Sequence, residues 1–172
     1  MANPIPITIV GDSLTKYFSK TKPKKYVIHD RFERGATLQS HLAYLQKHPI
    51  DQSSQAVIIH IGTNSINNSK LQCWKEFQQL LTLIHQQVPQ AKLCIVSILP
   101  KPLNNHQFTP SIRDFNKLLK QMATQHQCRF ANIFTSFWKR QDLFGKDGIH
   151  LTHEGYAFLH NQYLQALALT IK

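Results

Sequence analysis

The chain has 172 residues, 42% of them hydrophobic, a size and composition suited to a single domain with one packed core over residues 1–172. No window approaches the roughly 18 continuous apolar residues of a membrane span, and Met1 to Val10 lacks the basic start and cleavage site of a secretory signal, so a cytoplasmic location is expected. Lys plus Arg total 20 against 9 acidic residues; the resulting charge of +11 favours polyanions, either RNA or an anionic membrane surface.

In chain order, Ile5 to Val10 is a short β-branched run closed by Gly11-Asp12, the pattern of a buried strand and a turn. Asp12 to Ser19 is then expected as a short helix, and Lys25 to His29 as a second strand. Thr37 to Lys47 carries Leu38, Leu42 and Leu45 at helical spacing. Ala56 to Ile61 is an apolar strand stopped by Gly62. Ser69 and Gln72 have the spacing of a capping box, and the helix they open would turn Leu71, Trp74, Phe77, Leu81, Ile84 and Val88 inward, with Pro89 past its end. Lys92 to Leu99 reads as a fourth strand. Thr109-Pro110 suits a helix start, with Ile112, Phe115, Leu119 and Met122 as the apolar stripe. Arg129 to Phe134 is a short fifth strand. A last helix is expected from about Thr152 to Ile171, with Tyr156, Leu159, Tyr163 and Leu167 inward.

Alternation of continuous apolar strands with helices implies a parallel sheet covered on both faces. Sites in such sheets form outside the carboxyl ends of the strands. Three polar clusters meet that condition: Gly11-Asp12-Ser13, Gly62-Thr63-Asn64 and Asp147-Gly148-Ile149-His150. A hydroxyl nucleophile needs a base, and the base an orienting acid; Ser13, His150 and Asp147 supply the three types. At a helix start the Ser13 N–H, aided by the helix dipole, would face a developing oxyanion. The Asn64 amide and the Gly35 backbone N–H offer two further donors. Taken singly, these features have plainer readings: a helix cap, a turn and a surface loop. Their order and joint position give them weight.

In that order, Gly11-Asp12-Ser13-Leu14, Gly35, Gly62-Thr63-Asn64 and Asp147-Gly148-Ile149-His150 resemble the four blocks of the SGNH (GDSL) hydrolase family. The resemblance implies a three-layer α/β/α sandwich on a five-stranded parallel, flavodoxin-like sheet. It implies Ser13 as nucleophile, His150 as base, Asp147 as its partner, and Ser13 N–H, Gly35 N–H and Asn64 as the oxyanion hole. It also implies hydrolysis of small acyl or lipid-linked esters. Where many members carry Asp after the third-block Asn, this chain has Ser65, which puts the rigidity of that loop in question. Ser136-Phe137-Trp138, Leu143-Phe144 and Lys146 to His150 resemble the esterase domain of first-open-reading-frame proteins in LINE-type retrotransposons. Pro89 to Lys92, His150 to Thr152 and Gly155-Tyr156 are similar to the platelet-activating-factor acetylhydrolase catalytic subunits.

Lys16, Lys20, Lys22, Lys24 and Lys25 follow the nucleophile, and Arg31, Arg34, Lys139, Arg140 and Lys146 lie in loops expected near the same end of the sheet. On one face they would ring the site with positive charge and hold a phosphate backbone or steer an anionic substrate. Phe134, Phe137, Trp138 and Phe144 would line an acyl pocket, form an exposed patch, or pack a long loop onto the core. Cys73, Cys94 and Cys128 have no paired spacing and read as reduced structural residues. His60 and His85 show no metal-ligand spacing; neither metal nor cofactor is expected, and His60 reads as a satisfied core residue. Three functional classes follow: a short-acyl serine esterase, a basic RNA- or membrane-associated module with accessory hydrolysis, and a carbohydrate O-deacetylase, against which the missing secretion signal counts.

Overall fold

Runs of Ile, Val and Leu with no charge between them can be buried on both sides, and they form the middle of the molecule. In the computed structural model, which describes residues 2–102 and 107–172, five strands pair in parallel in the order β2-β1-β3-β4-β5. They are β1 (Ile5–Gly11), β2 (Tyr26–Phe32), β3 (Ala56–His60), β4 (Lys92–Val96) and β5 (Arg129–Ala131). Helices α1 (Leu38–Lys47), α2 (Lys70–Gln87), α3 (Thr109–Gln125), α4 (Phe134–Phe137) and α5 (His153–Ile171) complete the fold.

Strand side chains alternate between two cores. Val57, Ile59 and Ile95 join Leu45 of α1, Phe77 and Leu81 of α2, and Ile112 and Leu119 of α3. Ile9, Ile58 and Cys94 join Leu159, Tyr163 and Leu167 of α5 on the opposite face. The result is the three-layer α/β/α sandwich. Each buried Ile, Leu or Phe contributes about 1.5–3 kcal/mol through loss of apolar surface. The strand order reverses direction between β1 and β3, so a crevice opens outside their carboxyl ends.

Several local expectations give way to side-chain chemistry. Asp12 to Ser19 is not a regular helix: Thr15, Phe18 and Lys20 each donate to the carbonyl three residues back, at 3.1–3.2 Å, and only a tight helical turn forms at Phe18–Thr21. The Asp12 carboxylate and the Thr15 hydroxyl bond nearby backbone and compete with the helix. β4 stops at Val96: Ser97 N–H still donates to the Ala131 carbonyl at 3.0 Å, but at Ile98 the Asn116 amide replaces the sheet partner, accepting from the N–H at 2.8 Å and donating to the carbonyl at 3.1 Å. β5 stops at Ala131 because the Ser97 hydroxyl oxygen accepts from the N–H groups of Ile133 and Phe134, both at 2.9 Å, and turns the chain into α4.

Ser69 caps α2 by accepting from Gln72 N–H, but the Gln72 side chain bonds Glu76 rather than closing the box. Leu71 faces solvent, since Cys73, Phe77, Leu80, Leu81 and Ile84 define the inner face. In α1 the buried place expected for Leu42 goes to His41, and Tyr156 is only partly buried in α5. No described helix is long and apolar enough to cross a membrane.

Candidate active site

The turn after β1 is shaped by a close approach. A side chain on Gly11 would overlap the His60 carbonyl oxygen and the Thr15 methyl, so only glycine lets the chain turn here against β3. Asp12 Oδ1 then accepts from Leu14 N–H at 2.9 Å, and the Thr15 hydroxyl donates to the Asp12 carbonyl at 2.9 Å. Asp12 and Leu14 are buried, and Ser13 between them faces the crevice. Burial raises the pKa of the Asp12 carboxyl to about 6, against the opposing pull of the Leu14 bond and the His150 charge.

The loop before α5 is closed by its own backbone. Gly145 N–H donates to the His150 carbonyl at 2.8 Å and Gly148 N–H to the Gly145 carbonyl at 3.0 Å, while Phe144 and Leu151 form an antiparallel bridge. Asp147 Oδ1 accepts from the N–H groups of Ile149 and His150, both at 2.9 Å. Its other oxygen lies 2.6 Å from His150 Nδ1. Desolvation works against the Asp147 charge, but the bonds from the His150 ring and the two N–H groups together bring its pKa below the ordinary carboxylate range. His150 Nε2 is 3.2 Å from Ser13 Oγ. With Nδ1–H given to Asp147, Nε2 is left to accept the serine proton.

Across the crevice, Gly35 adopts φ +69°, a conformation that L side chains reach only with strain, in the loop between β2 and α1. Asn64 spends one amide hydrogen on the Ala36 carbonyl at 3.0 Å, which ties its loop to the Gly35 loop and leaves the second hydrogen for a ligand. Among the described residues, neither Ser13 N–H nor Gly35 N–H donates to another protein group. Ser13, Gly35, Asn64 and His150 line one cleft of about 190 Å³ with Asp12 and Arg34, and Asp147 stands behind His150. All five residues singled out in the sequence therefore meet. Nucleophile, base, acid and three donors in this arrangement can carry acyl transfer.

Ser65 answers the question raised by the departure at that position. It is buried, and its hydroxyl oxygen accepts from Leu38 N–H at 3.0 Å, joining the Asn64 loop to the first turn of α1. Ser13 sits in a turn rather than at a helix start, so no helix dipole reinforces its N–H. Phe134, Phe137 and Phe144 are buried in the two cores and Trp138 packs on them; none lines the cleft. The ring of cations is incomplete: Arg140 is paired with Asp142 at 2.8 Å, and the Arg31 guanidinium donates to the Pro49 and Asp30 carbonyls.

His60 is only half satisfied. Its Nδ1 bonds the Tyr163 hydroxyl, its Nε2 is buried without a partner among the described residues, and burial lowers its pKa to about 3. Sequence reasoning passed over Asp12 as a structural determinant. The available signal was its place one residue before the serine, where an Asp bonds the backbone two residues on. Among the described residues no group of three or more His, Cys, Asp or Glu side chains is placed to hold a metal ion.

Solved structures with the same fold include a Streptococcus pneumonia protein provisionally named a platelet activating factor, 20% identical with a TM-score of 0.81 over 96% of this chain and 84% of its own. A member of the lipolytic protein G-D-S-L family from Veillonella parvula is 15% identical with a TM-score of 0.79, covering 95% of this chain and 98% of its own. An acetyl xylan esterase, AlAXEase, is 14% identical with a TM-score of 0.74, covering 94% and 99%. No curated protein matches the chain in sequence. A family model, however, matches residues 9–158, and the chain belongs to the GDSL-like lipase/acylhydrolase family.

Proposed function

We propose that the protein is a serine esterase that hydrolyses short-chain acyl esters through an acyl-enzyme on Ser13. The observation that carries this reading is the continuous relay from Ser13 Oγ through the His150 ring to Asp147. Ser13 Oγ attacks the ester carbonyl as His150 Nε2 takes its proton. The negative charge that develops on the carbonyl oxygen is met by Ser13 N–H, Gly35 N–H and the Asn64 amide. Collapse of the tetrahedral intermediate breaks the bond to the alcohol, which leaves with the proton from His150. Water then attacks the acyl-Ser13 ester, giving its proton to His150; the carboxylic acid departs and Ser13 recovers its proton. Asp147 keeps Nδ1 protonated and stabilises the imidazolium without itself taking a proton.

The volume of the cleft suits acetyl or a slightly longer acyl group. The test is a panel of p-nitrophenyl esters from acetate to octanoate, with wild type, Ser13→Ala and His150→Ala. Activity is expected to be greatest on the shortest esters. Each substitution is expected to lower kcat/KM at least about 10³-fold. Undiminished hydrolysis by Ser13→Ala would overturn the reading.

A further inference from the structure

The loop between β2 and α1 makes a tight turn with Arg34 and Gly35 at its middle. Glu33 N–H donates to the Gly11 carbonyl at 3.1 Å, which ties the turn to the end of β1. Ala36 N–H donates to the Glu33 carbonyl at 3.2 Å, which closes it. Gly35, at φ +69°, supplies the left-handed residue at the turn's second middle position. One anchored turn therefore carries both the Gly35 N–H and the Arg34 side chain, and both residues line the Ser13 cleft.

Arg34 is the one arginine in that cleft, and its charge is uncompensated. Its chain neighbour Glu33 accepts from the Ser40 hydroxyl at 2.7 Å. Asp12, the carboxylate in the cleft wall, is 3% exposed and accepts from Leu14 N–H. Among the described residues Arg34 forms no ion pair. Arg31, Arg113 and Arg140, by contrast, each have a partner: two backbone carbonyls, the Phe134 and Trp138 rings, and Asp142. Part of the lysine cluster lies elsewhere. Tyr26 pairs with Ile5 at the amino end of the sheet, so Lys24 and Lys25 stand at the end opposite Ser13. An exposed guanidinium on an anchored turn beside the nucleophile, with no protein carboxylate to meet it, is a receptor for a carboxylate from outside. Its planar fork matches the two oxygens of that group.

The direction of the reaction decides which side of the ester bears that carboxylate. In the tetrahedral intermediate the ester oxygen points to His150, which gives it a proton, and the former carbonyl oxygen points to the N–H donors. The acyl substituent takes the remaining direction, away from the imidazole and along the wall that holds Arg34, Gly35 and Thr63. We infer that the acyl group is that of a short dicarboxylic acid, such as succinyl, whose free carboxylate is held by Arg34. The inference rests on the esterase reading above and specifies the acyl side of the same reaction. Ser13 takes the acyl group, the alcohol leaves with the proton from His150, and water then releases the dicarboxylic acid. The cleft of about 190 Å³ suits a succinyl or glutaryl group.

The experiment measures ethanol release from monoethyl succinate and from its neutral amide, ethyl succinamate. A second pair, 3-acetoxypropanoate and 3-acetoxypropanamide, puts the same charge on the alcohol side. At low ionic strength monoethyl succinate is expected to exceed ethyl succinamate about tenfold in kcat/KM, chiefly through KM, with the advantage fading in about 1 M salt. The acetoxy pair is expected to differ by less than about threefold, the share due to the net positive charge of the chain. Arg34→Gln is expected to bring the succinate ratio down to that of the acetoxy pair, and Arg34→Lys to keep part of it. Lys24→Gln removes an equal charge at the far end of the sheet and is expected to leave the ratio unchanged. Equal kcat/KM for the succinate and succinamate esters overturns the inference, as does a larger ratio on the acetoxy pair or a succinate ratio that Arg34→Gln leaves intact. If no ester is turned over faster than by Ser13→Ala, the esterase reading alone fails. Titration of the protein with monoethyl succinate, followed by NMR, then decides the anion site. Saturable binding that Arg34→Gln abolishes supports it; no binding at low salt, or binding that Arg34→Gln leaves unchanged, overturns it.

Discussion

Ser13 and His150 face each other across the cleft from positions 137 residues apart, and opposite kinds of interaction hold them. The serine turn is anchored in the interior: Gly11 against β3, Asp12 and Thr15 buried, Leu14 and Phe18 in the core. The histidine loop is anchored in itself. Its carboxylate and ring are each half exposed, and its shape comes from hydrogen bonds within Gly145 to His150. The position of Ser13 is thus tied to global stability, whereas His150 can be disturbed with little effect on the core. Substitutions on the two sides should separate into those that act on activity and those that act on stability.

The largest effect belongs to the histidine side. Asp147→Asn keeps the size of the side chain but exchanges an acceptor for a donor opposite Nδ1, which favours the wrong tautomer. Activity on p-nitrophenyl acetate is expected to fall about 10³–10⁴-fold, with a thermal midpoint close to that of wild type. A midpoint that drops with activity would erase the contrast between the two sides.

On the serine side the effect appears in stability and depends on pH. Asp12 binds its proton more tightly in the folded chain than in the unfolded one. Its favourable contribution is therefore complete below pH 3.8 and is lost as pH rises through about 6. The interval between those values corresponds to about 3 kcal/mol. Asp12→Asn retains an acceptor for Leu14 N–H but never charges. Urea unfolding is expected to show the variant more stable than wild type at pH 8, by up to about 3 kcal/mol, and equal to it near pH 4. A variant less stable at pH 8 would mean that the Asp12 charge has a favourable partner.

How much of this was legible beforehand follows the same division. Ser13, Gly35, Asn64, Asp147 and His150 could be placed together because each follows a strand or precedes the last helix, and parallel sheets gather such positions at one end. The helix expected over Asp12 to Ser19 failed because Asp12 and Thr15 bond the backbone locally, which apolar periodicity does not register. The end of β5 was illegible for a different reason: it is set by a hydroxyl on Ser97, which reaches Ile133 and Phe134 from 36 and 37 residues away. Arg140 belongs to the basic set by sequence position, but its charge is paired with Asp142 two residues on. Phe137 and Phe144 looked available for a pocket, but they are core residues.

The smallest expected effect tests the third element of the cleft, the loop that holds Asn64. Ser65→Ala leaves the Leu38 N–H without its buried acceptor, at a cost of about 1–3 kcal/mol. A severalfold fall in kcat with little change in KM is expected if that anchor aims the Asn64 amide at the oxyanion. An unchanged kcat in a destabilised protein would assign Ser65 to folding alone.

The parallel strand order has a consequence in time as well as in space. A ribosome finishes β1 to β4 and the loops that carry Ser13, Gly35 and Asn64 well before it reaches Asp147 and His150. Growing chains can collapse early around β1 and β3, yet Ser13 has no imidazole beside it until the loop before α5 is in place. On the proposed mechanism the hydroxyl stays an ordinary alcohol on every incomplete or misassembled chain, and esterase turnover would report that the last helix has closed the fold.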